Sequence, residues 1–176
     1  MSLLFIIVIA VSLSMDAFSL SLAYGTLDIQ KRDRFILSLI VGIYHFFMPL
    51  IGLFIGSKII AILPINPNTV VFVVLSFIGI QMIIESKKET VVEKKLKFKE
   101  KLLFGLAVSL DSFSVGIGLN QIYSNIYIAT FIFSLSSFLF TFLGLFLGTA
   151  VHNLVGKIST LIGGITLIII GVTYIL

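Results

Sequence analysis

Two aspartates lie within long apolar segments of this 176-residue chain, and each belongs to the same short motif. The motif reads Ser-Met-Asp-Ala-Phe-Ser at residues 14–19 and Ser-Leu-Asp-Ser-Phe-Ser at residues 109–114. An offset of 95 residues superposes Asp16 on Asp111. Because an aspartate at the centre of a membrane helix costs roughly 2.5 to 3.5 kcal/mol, the repeated motif indicates a functional pair of carboxylates.

The chemistry open to this pair is cation binding. Each aspartate is followed three residues later by a serine, Ser19 or Ser114, which shares its helix face. Like carboxylates brought together need a cation or a proton to be stable. The only lysine or arginine within a predicted span is Lys157, at the start of the last one. A divalent cation is therefore the predicted ligand, and oxygen donors suit Mg²⁺, Ca²⁺ or Mn²⁺. The structural alternative is a protonated aspartate in a hydrogen bond between helices.

Two further residues are candidates for the same cation. His45 offers a nitrogen ligand, and Pro49 cannot donate a hydrogen bond to the His45 carbonyl, which leaves that oxygen free. A hydrogen bond between helices explains His45 equally well. Glu85, with Gln81 one helical turn deeper on the same face, is a candidate entrance residue for a cation. An interfacial anchor or a salt bridge with a neighbouring lysine is the alternative for Glu85.

The composition is that of an integral membrane protein. Hydrophobic residues make up 59% and charged residues 11%, with a mean hydropathy of +1.21, whereas a soluble domain is about 25% charged. The positive charges lie in short connectors, so the expected partners are the lipid bilayer and a metal ion but no nucleic acid. The absence of cysteine excludes disulfides and thiolate metal sites. Neither a nucleophile–base arrangement nor a cofactor motif occurs, so we predict no enzyme and no bound cofactor.

Stretches long enough to cross a bilayer predict an all-α fold of six transmembrane helices. The predicted spans are residues 2–24, 35–57, 69–85, 102–119, 126–151 and 154–176.

These spans form two repeats. The segment Pro-Leu-Ile-Gly at 49–52 resembles Thr-Phe-Leu-Gly at 141–144 at an offset of 92 residues. The predicted units are residues 1–85 and 102–176, joined by a basic cytoplasmic connector at residues 86–101. Because each unit has an odd number of spans, the second enters the membrane from the opposite side, which makes an inverted repeat.

The distribution of lysine and arginine predicts the orientation. Ten of the twelve lie in the first and third connectors and an eleventh, Lys157, lies just after the fifth, whereas only Lys58 lies on the other side. By the positive-inside rule, the odd connectors face the cytoplasm and both termini face outward from the cell membrane. The sequence carries no signal for an oligomeric state.

The motifs resemble those of the MntP family of bacterial manganese efflux pumps. Besides the two aspartate motifs, the matching segments are residues 49–52, 81–85 and 162–164. The resemblance implies a six-helix exporter of the lysine-exporter superfamily that lowers cytoplasmic Mn²⁺, which is then a substrate rather than a cofactor. It implies Asp16 and Asp111 as essential carboxylates and Glu85 as a further functional acid. This chain has His45 where relatives often have an acidic or amide side chain, and Gln81 where they often have arginine.

Two alternatives stand beside manganese export. The wider superfamily suggests export of another small cation or of a cationic amino acid. The carboxylate of an amino acid would need a basic partner, however, and the only lysine or arginine in a predicted span is Lys157, near the end of the bilayer-crossing segment. A related branch of sporulation membrane proteins suggests a chain that does not transport, and the aspartate pair would then be an unexplained cost.

Overall fold

The chain folds into α-helices that are joined by short connectors. The structure is a computed structural model that describes residues 3–62, 67–87, 95–122, 125–155, 157–173 and 175. Its six helices are α1 (Leu3–Gly25), α2 (Lys31–Ile62), α3 (Pro67–Ser86), α4 (Phe98–Ile122), α5 (Ile126–Val155) and α6 (Lys157–Thr173). The prediction of an all-α fold with six helices is confirmed.

Three of these helices are long and apolar enough to cross a membrane. Their apolar segments, among the described residues, are Ile6–Gly25 in α1, Lys31–Phe54 in α2 and Ile126–Leu154 in α5. Shorter apolar segments occupy α3 and α6. Large apolar side chains such as Leu4 and Phe54 are 69% and 67% exposed, as expected where a helix faces lipid. The chain is a multi-pass membrane protein.

Two helices begin earlier than their apolar segments predict. Helix α2 begins at Lys31 rather than residue 35, and α4 begins at Phe98 within the predicted connector. The side chain of Glu100 accepts a hydrogen bond from the Lys97 main-chain N–H at 3.0 Å, which caps the start of α4. A helix can thus begin with a turn of charged residues outside its apolar segment, because only the apolar segment has to lie within the bilayer.

Helix packing places each half of the chain against the other. Helix α1 packs mainly on α5, α2 on α4 and on α5, and α3 on α6. Glycines allow the close approaches. A Cβ added at Gly144 of α5 would lie 2.6 Å from the Phe18 carbonyl oxygen of α1, and one added at Gly52 of α2 would meet the Phe113 carbonyl oxygen of α4. The α1–α5 and α2–α4 pairs therefore meet backbone to backbone at corresponding positions.

The contacts also fix the directions of α1 and α5. At the middle of α1, Ser14 contacts Ser136 of α5 at 2.8 Å between the Oγ atoms. Further along both helices, a Cβ added at Gly148 would lie 2.8 Å from the Gly25 Cα atom. Because the contacts advance together along the chain, α1 and α5 run parallel.

Helices α2 and α4 are parallel by the same criterion. Gly105 lies against Tyr44, since a Cβ added at Gly105 would lie 2.8 Å from the Tyr44 ring. Further along both helices, Gly116 lies against Pro49.

Helix α2 runs antiparallel to α5. The rings of Phe35 and Phe138 are 5.8 Å apart between centroids, whereas Gly42, later in α2, lies against Ser134, earlier in α5. Since α1 is parallel to α5 and α4 to α2, the two helices that carry the aspartate motifs run in opposite directions.

Gly144→Ala is expected to lower the melting temperature of the purified chain, because its new methyl would collide with the α1 backbone. Overpacking of this kind costs about 1–3 kcal/mol. Gly171→Ala is the matched control, since an added Cβ there comes only to 3.3 Å from the Leu75 Cβ atom. Thermal unfolding in detergent measures both variants, and equal melting temperatures would show that the α1–α5 contact is not close.

Candidate cation site

Asp111 of α4 has one carboxylate oxygen with no partner. Its Oδ1 atom accepts a hydrogen bond from the Ser112 main-chain N–H at 2.8 Å. Its Oδ2 atom is buried and makes no hydrogen bond, and the Ser112 hydroxyl is also buried without a partner. Unpaired polar atoms are costly inside a membrane protein. The Asp111 Oδ2 atom is therefore a site at which a cation or a proton would relieve that cost.

Asp16 lies at the middle of the apolar segment Ile6–Gly25 of α1. Helices α1 and α4 contact each other, so Asp16 lies on a helix next to the one that carries Asp111. The Asp16 side chain is exposed in the isolated chain, as is Ser12 one turn earlier. The structure therefore places the two predicted carboxylates on neighbouring helices and leaves the Asp16 side chain accessible.

The two predicted serine ligands lie on exposed faces. Ser19 is exposed on the same stripe of α1 as Asp16, and its hydroxyl donates to the Met15 carbonyl oxygen at 2.9 Å. Ser114 of α4 is exposed as well. Each hydroxyl oxygen keeps lone pairs that a metal can use. The proposed participation of both serines stays a prediction.

Ser112 is a candidate that the sequence did not single out. It is completely buried beside Asp111, whereas the repeat places Ala17 at the corresponding position of the first motif. A comparison of the two halves therefore did not identify Ser112, because only the second motif has a serine at this position. The signal that remained was a hydroxyl directly following an intramembrane aspartate.

His45 of α2 is completely buried and keeps one ring nitrogen free of hydrogen bonds. Its Nδ1 atom lies 2.9 Å from the Val41 carbonyl oxygen. A carbonyl only accepts, so Nδ1 carries the proton and Nε2 presents its lone pair. Metal-binding histidines commonly donate the other ring N–H to a carbonyl in this way. The orientation suits metal binding through Nε2.

A serine cluster on the α1–α5 interface was also missed. The Ser14 Oγ atom lies 2.8 Å from that of Ser136 and 3.2 Å from that of Ser137. The offsets of 95 and 92 residues relate Ser14 to Ser109 and Ser137 to His45. Ser14 of the first motif lies next to Ser137, whereas the residue related to Ser137 in the other half of the chain is His45. The two halves of the site are therefore chemically different.

No group of three or more His, Cys, Asp or Glu side chains able to hold a metal is found within the described part of the chain. Asp16 and Asp111 are thus two carboxylates that hydroxyls, carbonyls or water would have to supplement. The Glu85 side chain lies outside the described residues, so its role as an entrance stays a prediction.

In a multi-pass helical membrane protein, a buried carboxylate oxygen without a partner is typical of an ion or substrate pathway. The family model described as "Mntp: Putative manganese efflux pump" matches residues 28–175. The chain belongs to this family, which confirms the resemblance seen in its motifs. The family is one of metal transporters, and the chain is not an enzyme.

Curated relatives match nearly the whole chain. The "Putative manganese efflux pump MntP" of Bacillus pumilus is 36% identical over 171 residues, which are 97% of this chain and 93% of the relative. The protein of the same name from Methanobrevibacter smithii is 33% identical, covering 99% and 97%. That from Campylobacter fetus is 31% identical, covering 94% and 93%. No solved structure matches the chain.

Proposed function

We propose that the chain exports Mn²⁺ from the cytoplasm across the cell membrane, with Asp16 and Asp111 as its carboxylate ligands. The observation that carries this proposal is the buried Asp111 Oδ2 atom without a partner, on a helix in contact with that of Asp16. The names of the relatives support manganese as the metal.

The ligands follow from the donors present. Two carboxylates neutralise a divalent charge within the membrane, and the hydroxyls of Ser19, Ser112 and Ser114 add neutral oxygens. A nitrogen ligand at His45 would favour Mn²⁺ over Mg²⁺, which demands near-ideal octahedral oxygen coordination and loses water reluctantly. When the cation leaves, protons take its place on the carboxylates, because two close carboxylates do not both stay charged.

We further propose that residues 1–85 and 102–176 form an inverted repeat of three spans each. The opposite directions of α1 and α4 support it, as do the matching contacts of Gly52 and Gly144. Gly42 and Ser134, which the offset of 92 residues relates, touch each other and would lie near the pseudo-two-fold axis. Rocking of one repeat against the other then exposes the aspartates to each side in turn.

The orientation yields a topological prediction. A Glu93→Cys variant of this cysteine-free chain is expected to resist an impermeant maleimide in intact cells, because the basic connector faces the cytoplasm. It should react after permeabilisation. Lys58→Cys is the control expected to react from outside. Labelling of position 93 in intact cells would overturn the orientation.

The metal content of cells tests the function. In a bacterial host that lacks its own manganese exporter and is grown with excess Mn²⁺, expression of the chain is expected to lower intracellular manganese. The host with an empty vector is the control, and mass spectrometry measures all metals together. Unchanged manganese would overturn the proposal, and a fall in another metal alone would change the substrate.

A further inference from the structure

A buried ion pair joins α2 to α4 at one end of the helix bundle. Helix α1 ends there, and both α2 and α4 begin there. We call this the basic end. The Lys101 Nζ atom lies 2.6 Å from the Asp33 Oδ1 atom, and their side chains are 8% and 6% exposed. The Leu96 main-chain N–H donates to the Asp33 Oδ2 atom at 2.7 Å. Both carboxylate oxygens are engaged, so Asp33 holds the start of α4 and the segment before it.

Apolar side chains seal the same end of the bundle. The rings of Tyr24 in α1 and Phe104 in α4 stack with centroids 4.7 Å apart. Leu27, Ile29 and Leu96 around them are at most 4% exposed. Phe104 precedes Asp111 by seven residues, or about 10 Å along the helix. A cation that approaches Asp111 from the basic end therefore meets this closed layer first.

The repeat shows that the ion pair belongs to one end only. The offsets of 95 and 92 residues relate Lys101 to Ile6 and Asp33 to Asn125. Ile6 belongs to an apolar cluster with Phe133, and the Asn125 Oδ1 atom accepts a hydrogen bond from the Ile128 N–H at 3.3 Å within its own helix. The two positions that carry opposite charges at the basic end thus carry an apolar and an amide side chain at the opposite end of the bundle.

We propose that the Asp33–Lys101 pair and the Tyr24–Phe104 stack form a gate that closes the path from the cytoplasm to Asp111. The gate rests on the proposed function, in which the basic end faces the cytoplasm and the cation enters there. The pair must break and re-form in each transport cycle. The corresponding residues at the opposite end, Ile6 and Asn125, form no ion pair, so the closed-to-cytoplasm state is the preferred state of the chain.

The physical basis is the cost of an unpaired buried charge. Removing either partner leaves the other charged and buried, and opening the end to water relieves that cost. Loss of Asp33 and loss of Lys101 change the net charge in opposite directions, yet both should open the gate. A pair that merely joins two helices during folding would leave the native accessibility of the path unchanged.

The test uses a cysteine at position 107, between Phe104 and Asp111. Ala107 is 5% exposed, so Ala107→Cys is expected to react slowly with an impermeant methanethiosulfonate applied to inside-out vesicles. Adding Asp33→Asn or Lys101→Gln should accelerate that reaction by about tenfold or more, because buried pairs are costly to break. Lys99→Gln is the matched control, since Lys99 is exposed on the same helical turn, and it should leave the rate unchanged.

Each outcome of the labelling decides the proposal, and this readout does not depend on metal transport. Unchanged labelling in both variants would overturn the gate even if the chain exports Mn²⁺, whereas faster labelling would support it even if export failed.

If the single variants do not accumulate, Asp33→Cys with Lys101→Cys takes their place. A reversible cross-link between these cysteines should stop export and reduction should restore it, while a cross-link between cysteines at 97 and 101 should not. Export that continues across the 33–101 cross-link would overturn the gate.

Discussion

Asp111→Asn is expected to reduce Mn²⁺ efflux to that of cells without the chain, and Asp16→Asn to do the same. Each change removes one of the two charges that balance the cation, and an amide is a much weaker ligand for a divalent ion. Both variants should still accumulate in the membrane, because asparagine is nearly isosteric and cheaper to bury than a carboxylate. Efflux from cells preloaded with radioactive manganese, normalised to the amount of chain, measures the effect.

Asp28→Asn is the matched control for these variants. Asp28 lies between α1 and α2 with a φ of 53°, a conformation that asparagine also adopts readily. It should therefore retain the parental efflux. Efflux at the parental rate in either the Asp16 or the Asp111 variant would contradict the shared carboxylate site.

The second large effect is expected at His45. His45→Leu should lower Mn²⁺ efflux strongly, because it removes a nitrogen whose lone pair is buried and unpartnered. His45→Gln should lower it less, since glutamine keeps an oxygen donor at the same depth. Millimolar Mg²⁺ should barely compete in the parent, because a mixed nitrogen and oxygen site disfavours Mg²⁺. The assay is Mn²⁺ efflux with Mg²⁺ varied on the loading side.

Two results would refute this role. Unchanged efflux in His45→Leu would make His45 a residue that only packs or forms a hydrogen bond. Inhibition by Mg²⁺ at concentrations near that of Mn²⁺ would indicate an unselective cage of oxygens. Ser137→Ala is a useful comparison, because the repeat relates Ser137 to His45 and its hydroxyl already lies near that of Ser14. It should affect efflux less than His45→Leu.

The repeated motif indicated that the helices of Asp16 and Asp111 lie together, and α1 and α4 do contact each other. The role of these two carboxylates in binding a cation stays a prediction. Charge and hydropathy located the helices, because both report directly on which residues lipid can surround. Helical periodicity also placed Ser19 on the face of Asp16. It did not predict that this face would be exposed in the single chain, since packing against other helices decides which stripe is covered.

Contacts between distant parts of the chain could not be predicted from one sequence. Asp33 and Lys101 were assigned to two separate hydrophilic connectors, yet they form a buried pair across 68 residues. The basic connector at residues 86–101 was interpreted only as a determinant of topology. Only the fold shows that its last lysine is buried at the start of α4.

Transport by the purified chain tests the central claim most directly. The chain is reconstituted in liposomes that trap a Mn²⁺-sensitive dye, and Mn²⁺ is added on the side of the membrane that the basic end faces. With the parental chain, the dye signal should change. The signal should equal that of empty liposomes with Asp111→Asn. Equal fluxes with the parental chain and with empty liposomes, or a parental flux with Asp111→Asn, would contradict manganese transport through the aspartate pair.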